Sequence, residues 1–164
     1  MMIIEDTNLK GVKLIKPTVH EDYRGTNVEV WHKDNYASLG VNFILDSIST
    51  SRRHTLRGIH GDDRTTKLVS CLHGTIYQVV INLDEDSDQY GQWQEFTLSD
   101  RNGYQVLLPP KHGNAHLVMS EQCVFSYKLD QYYDRNSQYT VKWNDERFNI
   151  FWPIKNPILS ERDR

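Results

Sequence analysis

This sequence predicts an all-β protein, a β-sandwich or β-barrel, on three observations. Short runs that alternate apolar and polar residues recur at roughly regular intervals, each run is closed by a turn signal, and almost nothing in the chain follows a helical period.

In chain order, residues 12–17 (VKLIKP) alternate and read as a first strand, followed by the turn-rich EDYRG and an extended piece over 26–31. Residues 32–39 (HKDNYASL) form the one short stretch of helical character, with Gly40 placed to end it. Residues 43–51 alternate again, and 55–69 (TLRGIHGDDRTTKLV) read as strand, loop and strand. Further strands are predicted over 67–72, 75–84, 93–98, 104–108, 116–119 and 123–129. They are separated by HG at 73–74, DEDSD at 84–88, SDRNG at 99–103, PPKHG at 109–113 and SEQ at 120–122. No repeat, low-complexity tract or linker interrupts the pattern, so one domain over 1–164 is expected. Residues 143–152 are aromatic and apolar enough to pack, whereas the charged last dozen residues alone would pass for a solvated tail.

A chain of 164 residues buries about 70% of the surface its unfolded form exposes and needs no covalent staples. Its formal charge of −3 and its lack of a basic stripe or tail argue against a nucleic-acid or membrane-surface partner. Any anionic ligand must be met by a few local cations. Cys71 and Cys123 each lie inside an apolar run, in a sequence with no secretory segment and no apolar stretch of membrane-spanning length. Two reduced, buried thiols in a cytoplasmic protein are expected, and a disulfide between adjacent strands stays open.

The chemistry concentrates in 55–69. Arg57, His60 and Lys67 bring a phosphate ligand, a titratable base and an ammonium into one short stretch, with Leu56 and Ile59 expected to pack inward. Tyr127 shares one face of its strand with Phe125 and Leu129, so in a barrel its hydroxyl becomes a buried donor; the ordinary alternative is a core tyrosine bonded to backbone. Lys67 alone would pass for a snorkelling surface lysine, and Arg24 and Arg57, each beside a glycine, are either surface cations or a clamp for a diphosphate. A metal site can also be drawn from His112 and His116, four apart, and from His60 with Asp62. The chain has no tight His-x-His pair and no glutamate a few residues behind one, so no metal is expected.

The order of these pieces resembles the nucleotide-sugar 4-keto epimerases typified by dTDP-4-dehydrorhamnose 3,5-epimerase. The matching elements are DYRG at 22–25, TLRGIH at 55–60, KLV at 67–69, YGQW at 90–93, LLPP at 107–110, FSYKLDQYY at 125–133, WND at 143–145 and LSERD at 159–163. The resemblance implies a cupin-type jelly roll, a homodimer and a cofactor-free proton-transfer enzyme acting on a nucleotide-diphosphate sugar. It makes His60 the base, Lys67 the stabiliser of the enolate oxygen, Tyr127 the acid on the opposite face and Asp163 the partner that orients the histidine, with 153–164 folding back over the site. It further assigns Arg24 and Arg57 to phosphate or sugar, and Glu29 with Tyr132 or Tyr133 to the nucleoside. Ser47 and Asn114 are assigned to the substrate.

Four departures from the family pattern alter the expected pocket. Arg24-Gly25-Thr26-Asn27 replaces a phenylalanine-rich RGFF, which removes aromatic stacking on a thymine and leaves the base open among dTDP, GDP and CDP. Asn114 stands where the family has a histidine, and Leu45-Asp46-Ser47-Ile48 replaces polar substrate contacts. The loop from His60 to Lys67 is about three residues shorter than in the family. The expected activity is inversion at C3, C5 or both of a 4-keto-6-deoxy hexose or heptose bound for a surface polysaccharide. A 3,4-ketoisomerase, a metal-dependent cupin oxygenase and a non-catalytic sugar-nucleotide-binding jelly roll are the alternatives.

Overall fold

A computed structural model describes all residues, Met1 to Arg164. The alternation read in the sequence becomes two facing antiparallel sheets. In the first, the strand order is β1 (Ile3–Asp6), β2 (Lys13–Lys16), β10 (Gln105–Leu108), β7 (Lys67–His73), β12 (Gln122–Leu129) and β5 (Leu45–Arg52). The second runs β13 (Tyr139–Thr140), β6 (Leu56–Gly61), β11 (His112–Val118), β8 (Thr75–Asn82) and β9 (Trp93–Ser99). Because side chains alternate across a strand, Val69 and Cys71 of β7, Val106 and Leu108 of β10, and Cys123 and Phe125 of β12 fall on one face. They meet Ile76, Val80, Leu98 and Val118 of the second sheet in one buried core, the jelly-roll arrangement expected of this sequence. Cys71 and Cys123 are both free and buried there.

The outer faces are covered too, which is why many strands read as continuously apolar. Ile15, Leu68 and Leu107 on the first sheet pack under Tyr36, Trp31, Leu39 and Phe43. The Tyr36 hydroxyl donates to Gln105 at 2.6 Å, and burial pushes its pKa up to about 12. Ile59, Ile81 and Ala115 on the second sheet lie under Phe148, Ile150 and Trp152. That arm is fixed by indole N–H groups: Trp93 donates to the Phe148 carbonyl at 3.1 Å and Trp152 to the Trp143 carbonyl at 2.7 Å.

Several predicted elements differ. Residues 32–39 make only a 3-10 turn over Ala37–Leu39, which Gly40 ends at φ 66 by donating to the Ala37 carbonyl. Packing of Trp31, Tyr36 and Leu39 on the sheet, rather than helix propagation, shapes that segment. β11 begins at His112, so the predicted turn there ends at Lys111. β1 and β3 (Val19–Asp22) carry no readable alternation, and the extended piece expected over 26–31 is a strand only as β4 (Gly25–Val28), paired with β3 in a hairpin that is polar and exposed on almost every residue. No helix is long and apolar enough to cross a membrane.

Candidate active site

Between the sheets opens a cavity of about 480 Å³, and strand parity decides what reaches it. Lys67 shares the inward face of β7 with Val69 and Cys71, and Tyr127 shares that of β12 with Phe125 and Leu129; both reach the cavity. The Tyr127 ring leans on Phe125 at 5.7 Å between centroids.

β6 breaks parity. Asn114 faces His60 across the ladder and His116 faces Arg57, so two steps on β11 oppose three on β6. This bulge lets Arg57 and His60, three apart, both line the cavity. Ile59 consequently packs on the outer face under Phe148, not inward as the sequence predicts. Gly58 makes the bulge possible. Its φ is +116, and a Cβ there would lie 2.4 Å from the Asn114 carbonyl oxygen.

The C-terminal segment closes the site. Ile158 donates to the His54 carbonyl at 2.8 Å, Leu56 donates to the Ile158 carbonyl at 2.9 Å, and a last 3-10 turn over Glu161–Asp163 follows. It buries Asp163, whose Oδ1 lies 2.5 Å from His60 Nε2 and whose Oδ2 accepts from the Gly58 N–H at 3.4 Å. Burial would push the Asp163 carboxyl up, but the hydrogen bonds from His60 and Gly58, with the charge of His60, outweigh it and hold the group below its ordinary value.

Desolvation lowers the Lys67 ammonium below the usual lysine value; the Asp62 carboxylate opposes that shift and Arg162 adds to it. Asp62 is itself buried and fully engaged, accepting from the Thr65 N–H at 2.6 Å, the Thr65 hydroxyl at 2.7 Å and Gln138 Nε2 at 2.6 Å. It therefore shapes the short loop before Lys67 rather than joining His60. His112 Nδ1 lies 3.0 Å from its own Pro110 carbonyl. His116 is buried, stacked on Phe125 at 4.0 Å, and pushed down to about 3 by desolvation with help from Arg57 and His60.

Of the residues predicted for the site, His60, Lys67, Tyr127, Asp163, Arg57, Asn114 and Tyr133 line the cavity. Arg57 Nε donates to Ser51 Oγ at 2.9 Å. Arg24, Glu29, Ser47 and Tyr132 are not among the lining residues. Arg24 sits at the tip of the β3–β4 hairpin, its guanidinium forked onto Asp22, because that hairpin pairs with neither large sheet. Glu29 is exposed near Tyr36, and Tyr132 is exposed beside Tyr133. Ser47 faces Tyr127 across the β5–β12 ladder, but it is Ser49, opposite Phe125, that reaches the cavity. Thr65, Gln138 and Arg162 also line it without a sequence signal, since loops and tails carry no period.

A model of the dTDP-4-dehydrorhamnose 3,5-epimerase family matches residues 6–164. The chain belongs to this family. An epimerase of that name from Salmonella typhimurium is 33% identical over 99% of this chain and 93% of its own. A dTDP-4-dehydrorhamnose 3-epimerase from Streptomyces niveus is 30% identical, over 99% and 82%. Among solved structures, the 3,5-epimerase of Bacillus anthracis with TDP and pyrophosphate bound superposes with a TM-score of 0.95 at 34% identity, covering 100% of this chain and 97% of that one. The Legionella pneumophila enzyme in complex with dTDP-4-keto-L-rhamnose gives 0.94 at 31% identity, over 99% and 90%. The dTDP-4-dehydrorhamnose 3,5-epimerase family is one of isomerases acting on nucleotide-linked sugars, and this chain is a carbohydrate epimerase of cupin-like fold.

Proposed function

We propose that the chain inverts C3, C5 or both of a nucleotide-linked 4-keto-6-deoxy sugar through an enolate, with His60 as base, Tyr127 as acid and Lys67 holding the developing oxygen charge. One observation carries this reading: a histidine paired with a buried carboxylate on one sheet shares a cavity with a tyrosine on the facing sheet. A carboxylate only accepts, so His60 Nε2 carries the hydrogen toward Asp163 and Nδ1 keeps the lone pair that removes the proton α to the ketone. A donor on the opposite face can then return a proton to the other side of the carbon, which is inversion. The half-buried Lys67 ammonium supplies charge in a site of low dielectric, where it stabilises an enolate more than a ground-state ketone. Arg57 is the cation at the cavity mouth suited to the diphosphate.

The same reading makes the enzyme a cytoplasmic homodimer working in surface-polysaccharide sugar synthesis. Support for pairing comes from the detached β3–β4 hairpin, whose Tyr23 is 98% exposed, and from the free edge of β5, where Ile48 is 64% exposed. A second copy would give Arg24 a route to phosphate that it lacks within one chain.

The test is proton NMR in heavy water with 4-keto-6-deoxy sugars linked to dTDP, GDP or CDP. Deuterium is expected at C3, C5 or both with the native chain and at neither with His60→Asn. Exchange that survives His60→Asn overturns the assignment.

A further inference from the structure

The cavity wall formed by β11, and the β8 position buried behind it, are polar where a jelly-roll interior is ordinarily apolar. Gln78 is fully buried, and its Nε2 donates to Asn114 Oδ1 at 2.7 Å. Asn114 stands opposite His60 in the ladder and lines the cavity. Gln78 holds the Asn114 oxygen and so fixes the orientation of the amide, whose two N–H groups remain free to donate. Beside it, His116 is 3% exposed, lines the same cavity and faces Gln78 across the β8–β11 ladder. His116 Nε2 and Gln78 Oε1 both lack a hydrogen-bond partner. Buried polar atoms are nearly always satisfied, so the orphan on His116, a residue that lines the cavity, marks a place for a polar group from outside the chain beside Asn114.

We infer that Gln78 is a positioning residue that locks the Asn114 amide as a donor to an oxygen of the bound sugar, making this wall a neutral, hydroxyl-reading surface beside the base. The inference rests on the sugar-nucleotide reading above and deepens it. It assigns the wall to the glycosyl half of the substrate and leaves the cationic mouth at Arg57 to the diphosphate. A neutral amide contributes recognition that does not titrate, so sugar binding through this wall holds its strength across the range in which histidines change charge.

The experiment is calorimetric titration of the full chain with dTDP-glucose against dTDP and with GDP-mannose against GDP. The sugar increment is the affinity ratio within each pair. The native chain is expected to show a ratio of at least about tenfold in one pair. Gln78→Met, which keeps the volume and removes both polar atoms, and Asn114→Asp, which keeps the shape and removes the donor, should each cut that ratio about fivefold or more while affinity for the diphosphate alone stays within about twofold. In an Asn114→Ala background, Gln78→Met should add no further loss, since it acts only through Asn114; an independent packing role would add one. Thermal melting checks that Gln78→Met is folded, and if it is not, Asn114→Asp and Asn114→Ala decide alone. A ratio of one in both native pairs, an unchanged ratio in Asn114→Asp, or additive losses in the double variant each overturn the inference. Catalysis is read separately by deuterium exchange. A chain that shows the sugar increment but exchanges no proton keeps this wall and loses the epimerase mechanism.

Discussion

His60 Nε2 and Asp163 Oδ1 lie 2.5 Å apart although 103 positions separate them in the chain. Under the proposed mechanism this pairing gives the C-terminal turn a catalytic duty, and the carboxylate is the least exposed charged group at the cavity.

Asp163→Asn should therefore lower kcat by about 10²-fold or more while leaving the fold intact, because an amide can present the wrong hydrogen-bonding atom to the imidazole. Its stability signature has a definite sign. A carboxyl held below its unfolded value stabilises the native state above that value and loses the contribution as pH falls through the lower, folded one. Acid melts of the native chain should show this loss on the acidic side of the ordinary carboxylate range, and the variant should lack it.

Tyr127→Phe separates the two halves of the reaction. Removal of the proton by His60 should continue, so deuterium still enters from solvent, whereas inverted product falls by about 10²- to 10⁴-fold. Loss of both signals together would place the tyrosine in binding rather than in proton return.

Lys67→Met should cost about 10²- to 10³-fold in kcat. Because burial lowers its ammonium below the usual lysine value, activity that needs the charge fails as pH rises through that lowered value. Asp62→Asn removes the carboxylate that opposes the shift, so the alkaline limb of the kcat profile should move to lower pH.

Gly58→Ala tests the bulge. The new Cβ meets the Asn114 carbonyl oxygen at 2.4 Å and the Ala115 Cα at 2.8 Å, at a φ that L side chains avoid. Denaturant melts should show a loss of about 2–4 kcal/mol.

Thiol titration of the folded chain should count no reactive cysteine until it unfolds. Burial, with the neighbouring Cys123, pushes the Cys71 thiol up to about 12, and Cys123 is likewise raised and enclosed in the core.

Much of this site was legible because it rides on strands. The period of two in β12 puts Tyr127 on one face with Phe125 and Leu129, whereas the run of β7 is buried on both faces and only the family resemblance singled out Lys67. The position of Ile59 was not legible, because a bulge inserts one residue and inverts parity on one side of it, and nothing in LRGIH marks that shift except a glycine. Ser47, assigned to the substrate through the resemblance, lies outside the cavity lining and Ser49 within it for a different reason. Both face the same way on β5, and only the depth of the cavity opposite Phe125 and Tyr127 distinguishes them. Arg162 and Gln138 sit in segments with no period, held by hydrogen bonds to distant partners that one-dimensional pattern does not encode. Gln78 read as an ordinary strand residue, since an inward polar side chain looks the same as an outward one until its neighbours are known.

The bulge in β6 also sets what can be engineered here. Regular pleating over these three positions would turn one of the two side chains to the far side of the sheet, into the space filled by Phe148 and Trp152, so the bulge that Gly58 permits is what keeps both in the cavity. The backbone conformation at Gly58 is thus a constraint that no other side chain meets. A variant library aimed at new sugars can vary the cavity positions outside the proposed chemistry, but every member must keep Gly58 and the bulge it permits.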